Sequence, residues 1–266
     1  MPSFPYKFCR NLLAVGLLGG TWLSLGSVSF GRIGETQPQI EKRLLADNTA
    51  IRIMTPVNML SQVDLRRRSI RASTGGAGAR NADGFDITPI NELFWFAAGQ
   101  PVALPNAAGV TPSPPDFFEY IYFKTDDGTA AKDKLQDPTK AVGWELHVYL
   151  YKQVSVLEVY RRIGSKIQDA EVNALLEANR GTSSWTHDSQ NPAGDDTSVD
   201  LDDPAVSYIG YSARRADKEV CNAQFGNDVV FFSSSLDKRL FELRRQQLKA
   251  AQGRPAPVSP NSVKGF

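Results

Sequence analysis

The stretch DAEVNALLEANRGTSSW, residues 169–185, indicates how this chain is organised. Asp169 is suited to the N-cap of a helix and Glu171 to its first turn, because carboxylates accept hydrogen bonds from the free N–H groups there. Gly181 is suited to the left-handed residue that follows a helix. The stretch therefore predicts a capped helix that ends before Gly181. The apolar side chains on its inner face are Val172, Leu175 and Leu176.

A helix of about three turns is unstable by itself in water, so its apolar face must pack on another part of the protein. Strands are predicted before and after it. This order predicts an α+β fold, in which amphipathic helices pack on one face of an antiparallel sheet of hairpins. Trp185, just after the glycine, is expected to close the edge of this core. The alternative is that Trp185 stacks on a sugar or a peptide.

The strands are predicted from aromatic runs and from alternation of apolar and polar residues. Residues 143–163, GWELHVYLYKQVSVLEVYRRI, predict a β-hairpin, because Leu146, Val148 and Leu150 alternate with more polar residues. The remaining predicted strands lie at residues 92–99, 117–124, 206–214, 219–225 and 227–235.

Two further helices are predicted near the ends of the folded region. In residues 34–45, GETQPQIEKRLL, Thr36 is suited to the N-cap, and Gln39 three places later completes a capping box. Ile40 then lies on the inner face of this helix, one turn before Leu44. Residues 235–251, SLDKRLFELRRQQLKAA, also have a helical pattern.

Residues 1–29 are predicted to be a secretory signal peptide. Lys7 and Arg10 precede an uncharged apolar run, and small residues lead up to Ser29. The alternative is an uncleaved anchor, because the uncharged run from Asn11 to Phe30 approaches the ~20 residues that span a bilayer. The protein is therefore expected to be exported, either to the periplasm or out of the cell.

The remainder divides into an exported domain at residues 30–250 and a disordered tail at residues 251–266, which has few large apolar residues. Three loops interrupt the domain. A glycine-rich loop is predicted at residues 73–84, a proline-rich loop at 99–115 and an acidic loop at 186–204.

The charge of the chain is almost balanced. It has 30 lysine and arginine residues against 29 aspartate and glutamate residues, a net charge of +1. No overall field attracts nucleic acid, which is not an expected partner. The expected partner is an envelope protein or a glycan, and membrane contact is expected only through the signal segment if it is uncleaved.

These segments resemble an uncharacterised family of secreted bacterial proteins. In that family a short GET...Q...RYG helix opens the mature chain and an LL..N.....W helix lies between hairpins. This chain differs by having Leu44 and Leu45 in place of Tyr-Gly, and by an insertion between about residues 50 and 84. The first helix is more distantly similar to small outer-membrane lipoproteins and beta-lactamase-inhibitor-like modules. The resemblance implies an α+β fold and supplies no catalytic residue.

The motifs of common enzymes are missing from the sequence. A Ser-His-Asp device needs a histidine beside the nucleophile, but His147 and His187 are the only histidines and no G-x-S-x-G motif accompanies them. The acidic loop lacks the residue order of a calcium-binding hand, so it is predicted to be solvated. The carboxylates of the acidic loop are Asp195, Asp196, Asp200, Asp202 and Asp203. No catalytic, cofactor-binding or metal-ligating residue is predicted.

Cys221 is the one cysteine outside the predicted signal peptide. Its setting in the alternating sequence EVCNAQF predicts a small buried strand residue. The alternative is a reactive thiol.

The sequence favours an exported non-catalytic binding or structural protein. The alternative is a carboxylate-dependent hydrolase, in which Glu119 and Glu145 on one face of the sheet act as general acid and base. Aromatic side chains in the predicted strands and after the helix supply binding area or pack the core. The candidate partner-binding residues are Trp95, Tyr120, Tyr122, Tyr149 and Trp185.

Overall fold

A computed structural model describes residues 32–45, 50–53, 84–103, 112–126, 143–190 and 207–252. Within these ranges lie four helices and eight strands. The helices are α1 (Gln37–Leu44), α2 (Thr88–Ala97), α3 (Asp169–Asn179) and α4 (Ser234–Gln252). The strands are β1 (Ala50–Ile53), β2 (Phe117–Thr125), β3 (Gly143–Tyr151), β4 (Val154–Ile163), β5 (Trp185–Thr186), β6 (Ala213–Arg215), β7 (Val220–Phe225) and β8 (Asp228–Ser233).

Some sequence predictions lie outside the described residues. These are the signal peptide, most of the glycine-rich loop, residues 104–111 of the proline-rich loop, the acidic loop beyond residue 190, and the tail from residue 253.

The eight strands form one antiparallel sheet in the order β1-β2-β3-β4-β8-β7-β6-β5. Each half is a four-stranded meander, and the halves meet where β4 pairs with β8. Asn227 supports this seam, because its side chain bonds the carbonyls of Arg162 at 2.6 Å and Ser165 at 2.9 Å. The antiparallel α+β fold is thus confirmed, as are the hairpin of β3 with β4 and the strands β2, β7 and β8.

Helices lie on both faces of the sheet rather than on the single face expected. Side chains of α1 and α3 pack with one apolar cluster, and side chains of α2 and α4 with another. Strand β8 explains the need for two layers: Val229 and Phe231 enter the first cluster, and Val230 and Phe232 enter the second. All four are fully buried. A central strand that is apolar on both sides needs a cover on both sides.

The strand predicted at residues 92–99 is wrong, because this segment belongs to helix α2. Pro89 lies in the first turn, where its fixed φ favours a helix. Ile90, Leu93 and Phe94 have the i, i+3, i+4 spacing of one helix face, and all three are buried. The ring of Phe94 stacks on Phe117 with 4.4 Å between centroids, which fixes α2 on the sheet.

The start of α1 follows the predicted capping chemistry, and the start of α3 differs from the prediction by one residue. At α1, Gln39 Oε1 accepts the backbone N–H of Thr36 at 2.8 Å, which confirms the capping box. At α3, the N-cap is Gln168 rather than Asp169, because Glu171 Oε2 accepts the backbone N–H of Gln168 at 2.8 Å. Asp169 is instead the first residue of the helix.

The end of α3 matches the sequence prediction. Gly181 has a φ of +63°, in the left-handed region. Trp185 is partly buried; its Nε1–H donates to the carbonyl of Leu176 at 2.8 Å, and its ring lies 5.8 Å from that of Phe231. Trp185 therefore closes the edge of the core beneath α3, as expected.

Cys221 is buried in β7 and 3% exposed. Burial raises the pKa of its thiol to about 11, so the thiol stays protonated at neutral pH. The prediction of a small buried strand residue is confirmed.

Candidate functional site

A connected set of polar side chains crosses four neighbouring strands on the face that carries α2 and α4. We call it the ionic row. The sheet register produces it, because cross-strand partners project from the same face. Glu119 lies opposite Tyr149, Glu145 lies opposite Arg161, and Arg161 lies opposite Asp228. Its members are Glu119, Glu145, His147, Tyr149, Arg161 and Asp228.

His147 is held between two carboxylates. Its Nδ1 lies 2.7 Å from Glu119 Oε1, and its Nε2 lies 2.5 Å from Glu145 Oε1. Burial alone would lower the pKa of His147, but the charge of Glu145 and the hydrogen bond with Glu119 outweigh burial and raise this pKa to about 10. At neutral pH His147 is therefore an imidazolium that donates both ring N–H groups.

Glu119 is the exposed end of the row. Partial desolvation beside the sheet raises the pKa of this carboxyl, but the hydrogen bond and the charge of His147 outweigh that effect, and the net shift is downward. Tyr149 Oη also donates to Glu119 Oε1, at 2.8 Å. Both bonds use the same oxygen, and the side chain keeps 36% of its surface exposed. Glu119 is thus an ionised carboxylate of fixed orientation that solvent reaches.

The other end of the row is closed. Arg161 donates from Nε to Asp228 Oδ1 at 3.0 Å and from Nη2 to Asp228 Oδ2 at 2.9 Å. Arg161 Nη1 also lies 3.8 Å from Glu145 Oε1, which links the two halves of the row. Asp228 is fully buried and accepts the backbone N–H of Phe85 at 2.8 Å, just before α2 begins. This end therefore anchors α2 to the sheet.

The row combines three carboxylates with two cations, so it has a formal excess of one negative charge. An imidazolium with a pKa of about 10 is not a general base at neutral pH. A carboxyl with a lowered pKa is a poor general acid. The arrangement is better suited to holding a charge in place than to moving a proton.

A second polar cluster joins α1 to β4 on the opposite face. Tyr160 Oη donates to Glu158 Oε2 at 2.5 Å, and Arg32 Nη1 donates to Tyr160 Oη at 2.9 Å. Arg43 Nη2 lies 2.6 Å from Glu35 Oε2 and 3.9 Å from Glu158 Oε1. Burial raises the pKa of Glu158, although the charge of Arg43 opposes this. The cluster fixes α1 and contributes to structure.

The aromatic residues expected to bind a partner do not form one exposed surface. Trp95, Tyr122 and Tyr149 are 7%, 2% and 4% exposed, which agrees with core packing, the other role considered for these aromatic residues. Helices cover both faces of the sheet, which buries rings on either side of a strand. Tyr120 and Trp185 are partly buried and pack against the cluster beneath α1 and α3.

The sequence prediction found part of the ionic row and missed the rest. Glu119 and Glu145 were candidates, and the structure brings both onto His147. The alternation of Glu145, His147 and Tyr149 along β3 was the visible signal. Arg161 and Asp228 were missed, because their proximity depends on the pairing of β4 with β8.

Other sequence candidates contribute no site among the described residues. His187 is exposed, and no group of three or more His, Cys, Asp or Glu side chains in this part of the chain is placed to hold a metal ion. No helix within the described ranges has the length and apolar character needed to cross a membrane. Asp195 and the rest of the acidic cluster lie outside those ranges.

Comparison of the chain with protein-family models, with curated proteins and with solved structures gives no match. The resemblance to secreted bacterial proteins therefore stays a prediction, and the ionic row is the basis for a proposal about function.

Proposed function

We propose that this protein is an exported, non-catalytic binding protein that acts in the periplasm or outside the cell and holds a positively charged group of its partner at Glu119. One observation supports this most directly. His147 is clamped as a cation between two carboxylates, and it fixes an ionised, exposed Glu119. The partner is of the envelope-protein or glycan class expected from the sequence.

A fixed carboxylate suits recognition for an energetic reason. A flexible surface glutamate loses side-chain entropy when it pairs with a ligand, and this loss offsets much of the attraction. Glu119 is already ordered by His147 and Tyr149, so less entropy remains to be lost on binding. The negative excess of the ionic row adds an attraction that selects a cationic group over an anionic one.

One observation favours the alternative, a carboxylate-dependent hydrolase: Glu119 and Glu145 both reach the same imidazole. Hydrolysis by two carboxyl groups requires one of them to start protonated, with a raised pKa. The pKa of Glu119 moves the opposite way. His147 also occupies the space between the two acids, where a substrate would need to bind. The binding proposal therefore has the stronger support.

The test uses purified protein immobilised and exposed to envelope extract. We expect the wild type to retain a specific partner, and Glu119→Gln to lose it while the protein remains folded at the assay temperature, with a melting temperature lowered by the loss of the ion pair with His147. Retention should weaken as salt rises, because the contact is ionic and exposed. Glu92→Gln is the matched control, since Glu92 is an exposed glutamate of α2 and its replacement should leave retention unchanged.

Two results would count against the proposal. Equal retention by wild type and Glu119→Gln would remove Glu119 from the binding surface. Turnover of a chromogenic glycoside or ester by the wild type, lost in both Glu119→Gln and Glu145→Gln, would support the hydrolase instead.

A further inference from the structure

Glu119 accepts both of its hydrogen bonds through a single oxygen. The Nδ1–H of His147 donates to Oε1 at 2.7 Å, and the hydroxyl of Tyr149 donates to the same oxygen at 2.8 Å. A carboxylate oxygen has two lone-pair positions, so these two bonds use the accepting capacity of Oε1. No residue within the described ranges donates a hydrogen bond to Oε2. The carboxylate therefore offers a ligand one oxygen rather than two.

The sheet register produces this one-sided arrangement. Glu119 lies opposite Tyr149 in the pairing of β2 with β3, and His147 lies two residues before Tyr149 on the same face of β3. The ring of Tyr149 stacks on Phe117 with 5.7 Å between centroids. His147 is held at its other ring nitrogen by Glu145. Both donors are therefore fixed in place by contacts within the sheet before a ligand arrives.

The occupied oxygen affects which cation fits. A guanidinium binds a carboxylate most strongly through two parallel N–H bonds, one to each oxygen. At Glu119 the second of these bonds would need Oε1, where the imidazolium of His147 and the hydroxyl hydrogen of Tyr149 already lie. An ammonium group is a compact charge that needs only one acceptor, and Oε2 supplies it. The guanidinium thus loses one bond and meets the positive charge of His147, whereas the ammonium keeps its contact.

The neighbours of Glu119 on this face of the sheet are buried. Phe117, Tyr149 and His147 are 1%, 4% and 6% exposed, whereas the side chain of Glu119 is 36% exposed. A cation therefore reaches this carboxylate best at the end of a slender arm. A lysine side chain provides one, because four methylene groups separate its ammonium from the backbone. An amino group attached directly to a sugar ring has no such arm, so burial favours a protein over a glycan.

We propose that Glu119 selects a lysine ammonium of a partner protein over an arginine guanidinium, and that the hydroxyl of Tyr149 sets this preference by occupying Oε1. The inference rests on the proposed function, which it narrows from a cationic group to an ammonium and from two classes of partner to a protein. Tyr149 acts through Glu119 and is a positioning residue. Removal of its hydroxyl should change which cation binds without abolishing binding.

The test uses the immobilised full-length protein and three preparations of one envelope extract. The first preparation is untreated. The second is treated with O-methylisourea, which converts lysine ammonium groups into guanidinium groups of the same charge, and the third is acetylated, which removes the charge. We expect the wild type to retain the partner from the untreated extract, roughly tenfold less from the guanidinated extract, and none from the acetylated extract.

The variant Tyr149→Phe keeps the ring and removes the hydroxyl, so Oε1 regains one accepting position. It should retain the guanidinated partner roughly tenfold better than the wild type does, and the untreated partner within about threefold of wild type. The control Tyr151→Phe removes a hydroxyl two residues along β3 and should behave like the wild type. A merely structural role of Tyr149 would lower both retentions together, so a gain with the guanidinated extract identifies the positioning role.

Each part of the proposal has its own contrary result. Equal retention of the untreated and guanidinated partner by the wild type would overturn the preference for an ammonium, and this comparison needs no variant. Failure of Tyr149→Phe to recover the guanidinated partner would remove Tyr149 as the positioning residue. Retention that survives digestion of the extract with a protease would assign the ammonium to a glycan.

A different result would overturn the proposed function as well. This is absence of retention by the wild type, or retention that Glu119→Gln does not reduce. If Glu119→Gln reduces retention while guanidination does not, the proposed function stands and the preference for lysine is wrong. The two proposals therefore fail in distinguishable ways.

Discussion

The clamped state of His147 predicts a specific dependence of stability on pH. The pKa of His147 is raised from 6.5 to about 10 in the folded protein, so between these values the native state binds a proton that the unfolded state has lost. The contribution is fully present below pH 6.5 and disappears as the pH rises through 10. At about 1.4 kcal/mol per pKa unit, the span corresponds to as much as about 5 kcal/mol.

The measurement is the free energy of unfolding in urea at intervals from pH 6 to pH 10. His147→Gln removes the titrating group and should reduce the slope of stability against pH in this range, by up to about 1.4 kcal/mol per pH unit. His187→Gln is the control, because His187 is exposed and outside the ionic row. The groups that face His147 are Glu119, Glu145 and Tyr149, which both variants retain.

Equal slopes for the wild type and His147→Gln would refute this reasoning. An NMR titration that places the pKa of the His147 ring near 6.5 in the folded protein would refute it independently.

Three further predictions concern stability and reactivity. Gln153→Gly should stabilise the protein by roughly 0.5 to 1 kcal/mol in urea unfolding, because Gln153 has a φ of +71° in the turn between β3 and β4. A lower stability of this variant would contradict the prediction. Cys221 should resist alkylation at pH 8 in the native protein and react upon unfolding, since burial raises the pKa of its thiol to about 11. Rapid alkylation of Cys221 in the folded protein would show instead that its thiolate is accessible. Ile40→Ala should lower the free energy of unfolding by roughly 2 to 5 kcal/mol, and Leu176→Ala should lower it by less because Leu176 is partly exposed. A larger loss for Leu176→Ala than for Ile40→Ala would show that α3, rather than α1, is the main anchor of the layer that these two helices form.

Local sequence signals predicted the local structure well. Thr36 and Gln39 lie three residues apart and make their hydrogen bonds without help from the rest of the chain. The hairpin of β3 and β4 needs only a two-residue turn between alternating segments. These features were visible because the interacting residues are neighbours in sequence.

The features that depend on distant contacts were not visible. The segment around Phe94 and Trp95 is equally apolar as a strand or as a helix, and packing against Phe117 decides between them. In the ionic row, the alternation along β3 placed Glu145 and His147 on one face. Arg161 and Asp228 are 67 residues apart, so only the register of β4 with β8 brings them together.

The seam between the two meanders has a consequence for folding. The hairpins β3–β4, β6–β7 and β7–β8 join strands that follow each other closely in sequence, and such local contacts form quickly. Pairing β4 with β8 closes a loop of more than 60 residues, as does pairing β1 with β2, so these two steps carry the largest loop-closure cost and are the natural places for a slow phase. Arg161 and Asp228 meet across that same seam. A folding intermediate in which the two meanders have not yet paired therefore lacks a complete ionic row. Only the fully folded protein presents Glu119 at the end of the complete row.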